Sequence, residues 1–203
     1  MSTNSLKVAR LYDSIAKDYG VKIQSKQPTI QLEKFIGFLP RSARVLDVGC
    51  ASGRDTKAIH DLGFQVVGVD ISTKLLEMAR KNYPDLTFIK ADALNLPFVK
   101  NEFDGIFANA VFHHFLKKDM EKVLRKFNEI LTFGGILCIS TKTGKGTHAG
   151  YDSLVKVKRW FNLLTLSELD RMLSRTGFKK IELYIKKSQS KRIDWNIALY
   201  RKL

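Results

Sequence analysis

Apolar and polar positions along this chain follow two rhythms that take turns. Residues 4–19, NSLKVARLYDSIAKDY, place Leu6, Val8, Ala9, Tyr12, Ile15, Ala16 and Tyr19 at helical spacing. The spacing predicts a helix there, and a second over residues 29–39 that Pro40 ends. Short apolar runs then alternate with amphipathic stretches. ARVLDVG predicts a strand, RDTKAIHDLG a helix closed by Gly63, and QVVGVD the next strand. Ser72 is placed to cap the helix TKLLEMARKNY. LTFIKAD and FDGIFANAV predict the third and fourth strands, KKDMEKVLRKFNEIL the helix behind them, and GGILCISTK a fifth strand. Residues 143–152 are polar and Gly-rich and predict a mobile loop. TLSELDRMLSRTG predicts a helix, with Thr165 or Ser167 at its start. KKIELYIKK and DWNIALYRK predict two last strands, the second running antiparallel between its neighbours.

Strands that alternate with helices build βαβ units, hence an α/β fold with a parallel sheet covered on both faces. The 203 residues fit one domain, and 44% hydrophobic with 27% charged residues mark a folded globular chain. No apolar run reaches the ~18 residues that cross a bilayer, and the N-terminus lacks the apolar core of a signal peptide. A cytoplasmic protein without a membrane partner is expected. Two cysteines, Cys50 and Cys138, are too few for a disulfide framework or a dedicated zinc site, so no metal is expected. The net charge of +15 gathers toward the C-terminus. It suits an anionic partner such as RNA or a phosphorylated substrate, and equally a lysine-rich solvated surface.

The first strand-to-helix turn, GCASG, sits where open parallel sheets bind ligands. A dinucleotide would call for G-x-G-x-x-G there. Here Gly49 and Gly53 are spaced G-x-x-x-G, and Asp47 stands two residues before the first. A carboxylate repels a pyrophosphate and attracts an ammonium or sulfonium group. Asp70 ends the second strand, where an acid accepts two ribose hydroxyls. Asp92 ends the third, in reach of an exocyclic amine of adenine. The three acids describe a cationic adenosine ligand with no phosphate.

VLDVGCASGRDT, VVGVDIS, KADALNLPF, FDGIFANAVFHHF and GGILCIS resemble, in order, the motifs of class I S-adenosylmethionine-dependent methyltransferases over residues 43–142. The resemblance implies a Rossmann-like sheet of seven strands, the last antiparallel, and S-adenosyl-L-methionine as cofactor. It implies that Asp47, Gly49 and Gly53 line the methionine moiety, with Cys50 a small turn residue beside them. It implies that Asp70 with Ile71 holds the ribose, Asp92 with Ala93 the adenine, and that Asn109 lies near the methionine end. Tyr19, in an N-terminal region that folds over the cofactor in related enzymes, joins this set. Ala51 stands where the family usually has glycine.

On the acceptor side, His114 is the candidate catalytic residue, able to orient or deprotonate an acceptor, while burial against the sheet is the plain alternative. Tyr12, His113, Lys142 and Arg159 are candidate substrate contacts. Residues 1–40 are expected to form a helical cap on the single domain of residues 1–203, and residues 143–164 a lid. A small-molecule acceptor is the leading expectation, in a monomer or homodimer. LYDSIAKDY, NAVFHHF and RIDWNIALYRK also resemble enzymes that methylate a modified wobble uridine of tRNA, which is the second reading. A non-catalytic cofactor-binding module is the third.

Overall fold

The computed structural model describes residues 1–25, 29–152, 157–188 and 193–203. Three helices open the chain: α1 (Thr3–Ser14), α2 (Ala16–Gln24) and α3 (Ile30–Ile36). Then come β1 (Arg44–Val48), α4 (Arg54–Asp61), β2 (Gln65–Asp70), α5 (Thr73–Asn82), β3 (Thr87–Lys90) and β4 (Phe103–Asn109). Helix α6 (Lys117–Ile130) leads directly into β5 (Leu131–Lys142). The chain closes with β6 (Thr147–Asp152), β7 (Val157–Asn162), α7 (Leu166–Arg175), β8 (Phe178–Lys186) and β9 (Trp195–Lys202).

Seven strands form one sheet in the order β3-β2-β1-β4-β5-β9-β8. β1 to β5 are parallel, and the C-terminal β9 inserts antiparallel between β5 and β8. The sheet is buried because its strands are: Val45, Leu46, Ile106, Phe107, Ile136 and Leu137 lie at 1% exposure or less. Helix α6 covers one face through Met120, Val123, Leu124, Phe127 and Ile130, an i, i+3, i+4, i+7 stripe. On the other face Leu32 and Phe35 of α3 pack on Val45, Phe107 and Ile136. α3 therefore belongs to the core, while α1 and α2 pack on α5.

Two local expectations give way to tertiary packing. The N-terminal helix is broken at Ile15 (φ −113°, ψ 8°), whose side chain is buried with Ala16 against Leu75. The glycine-rich segment after Lys142 is no loop. β6 pairs antiparallel with β7, Thr147 opposite Asn162 and Gly150 opposite Arg159, as a two-stranded hairpin outside the main sheet. Its polar, glycine-rich composition hid the pairing. Of the expected lid, residues 153–156 lie outside the described residues.

At the start of α7 the Thr165 side chain accepts from Glu168 N while the Glu168 carboxylate accepts from Thr165 N, a reciprocal capping box. Ser167, the other candidate, is not the cap. Thr165→Ala removes one half of this pair and should cost about 1 kcal/mol. Thermal denaturation should show the melting temperature falling by about 2–4 °C in a chain of this size, and an unchanged value would contradict the cap's contribution.

Candidate active site

Strand order reverses between β1 and β4, so the carboxyl ends of these strands open a crevice. The turn over residues 49–53 forms its floor. Gly49 N and Cys50 N both donate to Val69 O, at 2.8 and 3.0 Å, which pins the turn to β2. Gly49 has φ 75°, and a Cβ there would stand 2.8 Å from Val111. Gly53 has φ 89° and starts α4; a Cβ there would stand 2.8 Å from Phe88. Ala51 also takes a left-handed conformation, φ 51°, which costs an L-residue roughly 1–2 kcal/mol. Its amide donates to Asp70 Oδ2 at 2.9 Å, and Ser72 N donates to Oδ1 at 2.8 Å. The Ala51 methyl group packs with Tyr12, Ile15, Ala16 and Leu75, so the departure from glycine is absorbed by the N-terminal helices.

These elements enclose a cavity. α1 and α2 contribute Tyr12 and Tyr19, and the turn contributes Gly49 and Cys50. Asp70 and Ile71 follow β2, Asp92 and Ala93 follow β3, and Asn109 and His114 come from the β4 side. Asp92 Oδ1 accepts from Leu94 N at 3.1 Å, whereas Oδ2 is buried with no hydrogen-bond partner among the described residues. A buried carboxylate oxygen in that state calls for a donor from a ligand. The amine of an adenine supplies one, so the residues present fit the expected cofactor.

Asp47 and Gly53 stand behind this wall and not in it. Asp47 is 2% exposed, and its Oδ2 accepts from Thr56 Oγ1 at 2.6 Å. Burial pushes its carboxyl far above the usual carboxylate range, and neighbouring Asp55 adds to the push. Asp47 is set back from the cavity that it was expected to line. Asp55 takes that place at the cavity wall. Arg54 grips its carboxylate through Nε at 2.9 Å and a terminal nitrogen at 2.7 Å, and Asn109 Nδ2 donates to it at 3.0 Å. Sequence reasoning missed Arg54 and Asp55, whose one signal was their place directly after Gly53 in the first turn of α4.

A second cavity of about 570 Å³ adjoins the first and shares Tyr12, Tyr19, Ile23, Arg54, Asn109 and Ala110 with it. His113, Lys142 and Arg159 line it, with Phe161 and Trp195. Strand alternation in β7 turns Arg159 and Phe161 inward and leaves Trp160 57% exposed. Lys142 Nζ stands 4.8 Å from the Phe161 ring centre and 4.5 Å from that of Trp195. The Arg159 guanidinium lies 5.7 Å over Tyr19 and 5.3 Å over Phe161 and donates to Tyr12 Oη at 3.3 Å. Tyr12 Oη lies 2.8 Å from His114 Nε2. Burial pushes the His114 pKa down to about 3, with Arg159 and Lys142 adding to the effect, and holds His113 well below its ordinary value. Both imidazoles are neutral at physiological pH. A base that weak takes up a proton poorly, which leaves His114 as a hydrogen-bonding partner of Tyr12 in this arrangement.

A methyltransferase-domain family model matches residues 46–139. A methyltransferase of Oceanobacillus iheyensis is 25% identical over 162 residues, 76% of each chain. The malonyl-[acyl-carrier protein] O-methyltransferase of Legionella pneumophila is 30% identical over 150 residues, 70% of this chain and 51% of that one. Among solved structures, the 1,6-didemethyltoxoflavin-N1-methyltransferase of Burkholderia thailandensis superposes with a TM-score of 0.74 at 19% identity, covering 100% of this chain and 91% of that one. That protein was solved with 1,6-didemethyltoxoflavin and S-adenosylhomocysteine bound.

The neutral His114 carries a pH signature. Its native pKa lies below the ordinary 6.5, so the unfolded chain takes up a proton that the folded chain refuses. The stability this confers is present above pH ~6.5 and is lost as pH falls toward 3. In urea titrations the wild type should lose roughly 2–3 kcal/mol more than His114→Gln between about pH 7 and pH 4.5. Equal losses in both proteins would contradict the neutral, buried imidazole.

Proposed function

This chain is a class I S-adenosylmethionine-dependent methyltransferase, and on that premise we propose that it methylates a small molecule held in the second cavity. The observation that carries this reading is the shared wall. Tyr12, Tyr19, Ile23, Arg54, Asn109 and Ala110 face both cavities, so a cofactor in one and an acceptor in the other would meet there. A volume of about 570 Å³ suits a small ligand, in the usual range of roughly 300–1,000 Å³. The acceptors in the names of the Legionella and Burkholderia enzymes are a carrier-linked malonyl group and didemethyltoxoflavin. No specific observation favours the wobble uridine of a tRNA.

In this reading Asp70 clamps the ribose. Each of its oxygens has two lone pairs, and the amides of Ala51 and Ser72 use one on each. The Ile71 amide also lies against this carboxylate, and the lone pairs left over are offered to the vicinal hydroxyls. Asp92 Oδ2 receives the adenine amine. The Gly49–Cys50 backbone and the Asp55–Asn109 pair face the amino-acid end, and Tyr19 covers it. Asp47 acts through the turn, by holding Thr56 of α4. S-adenosylmethionine supplies a methyl group already activated on a positively charged sulfur. What this chain adds is alignment of the acceptor. Tyr12, held by His114 and Arg159, positions the boundary between the two sites.

Isothermal calorimetry with S-adenosylhomocysteine tests the cofactor assignment. The wild type should bind, and Asp70→Ala should bind tenfold or more weakly, the loss expected for a charged hydrogen-bond acceptor. Circular dichroism would verify that the variant is folded. Absence of binding to the wild type, or unchanged affinity in the variant, would refute the ribose clamp.

A further inference from the structure

The second cavity differs in charge from the first. Asp55, Asp70 and Asp92 line the first. Lys22, Arg54, Lys142, Arg159, Lys186 and Lys187 line the second, with no Asp or Glu among its described lining residues. Arg54 pairs with Asp55 at 2.7 Å and Lys187 with Asp194 at 2.9 Å, both carboxylates lying outside the lining of this cavity. The described lining is thus basic in composition, in a partly enclosed space where charges act more strongly than in water.

Two further observations point to a ligand. Thr29 Oγ1 and His113 Nδ1 are buried without a hydrogen-bond partner among the described residues, and both side chains line this cavity. Each is able to donate to an oxygen. Phe161 and Trp195 stand against Lys142 and form an aromatic wall beside it. Lys142 and Arg159 are also among the causes that hold His113 in its neutral form, as a positive local potential requires.

Building on the acceptor site proposed above, we infer that the second cavity selects a small planar organic anion, with its carboxylate or phosphate against Lys142 and Arg159 and its flat part along the Phe161–Trp195 wall. The acidic group orients the acceptor, and the atom that takes the methyl group faces Asn109 and Ala110.

Matched sets of small aromatic acids, the corresponding phosphate esters and the neutral primary amides are titrated into the protein, with and without S-adenosylhomocysteine, and followed by ligand-observed NMR. The anions should bind about tenfold more tightly than the amides, and added salt should weaken the anions but not the amides. The carboxylate and phosphate arms show which acid the site prefers. Lys142→Met should abolish the preference for anions and leave S-adenosylhomocysteine affinity within about twofold, because Lys142 does not line the first cavity. Lys142→Arg should keep the preference. Equal binding of acids and amides, a preference that survives Lys142→Met, or no binding of any member at millimolar concentration would overturn the inference. Failure of S-adenosylhomocysteine to bind, with the preference for anions intact, would instead overturn the cofactor assignment.

Discussion

One buried carboxylate holds the centre of this molecule together. Asp70 ends β2 at 9% exposure, where an unsatisfied charge would be costly. The amides of Ala51 and Ser72 satisfy it, at 2.9 and 2.8 Å. The first bond holds the turn after β1 in a left-handed conformation that its alanine would otherwise resist. The second sets the entry to α5, where Ser72 also caps the helix through Leu75 N. With the turn so held, Gly53 stands at the N-cap of α4, whose second residue Asp55, gripped by Arg54, meets Asn109 across the crevice. The parallel sheet thus determines the turn, the turn determines a helix start, and the helix start completes the pocket wall.

Charge divides the two cavities. Acids gather at the ends of β2 and β3 and at the start of α4, suited to a cationic adenosine ligand. Cations gather where α2, β5, β7 and the end of β8 converge. The boundary is built from hydrogen-bonded and aromatic groups: Asn109, which accepts from Ser140 Oγ at 2.6 Å, and Tyr12 between His114 and Arg159. Neutral imidazoles fit such a boundary, because protonated ones would add charge to the basic side. The fourth ring of this group, Tyr19, meets Tyr12 edge-on at 5.1 Å.

Most of the fold was legible in the sequence. RVLDV and ILCIS are apolar runs of strand length between glycine turns, and they leave a buried parallel sheet as the consistent choice. Asp70 and Asp92 were legible because a strand end fixes where a side chain stands. What escaped depends on contacts between distant residues. The break at Ile15 comes from packing on Leu75. The β6–β7 hairpin lies in a stretch whose glycines and polar residues argue for a loop, yet β7 carries Arg159 into the site. The set-back position of Asp47, whose carboxylate accepts from Thr56 of the next helix, is another contact that strand periodicity does not reveal. The basic cavity joins residues spread from Lys22 to Trp195, so composition showed its charge but not its place.

In the proposed reading the acidic cavity takes a phosphate-free, cationic adenosine ligand through Asp70 and Asp92. A crystal structure of the complex with S-adenosylhomocysteine tests it most directly. Both ribose hydroxyls are expected on the Asp70 carboxylate, the adenine amine on Asp92 Oδ2, and the amino-acid end beside Asp55 and Asn109. A nucleoside seated instead among Lys142, Arg159 and Trp195, or Asp92 Oδ2 still unpartnered with the ligand bound, would contradict it.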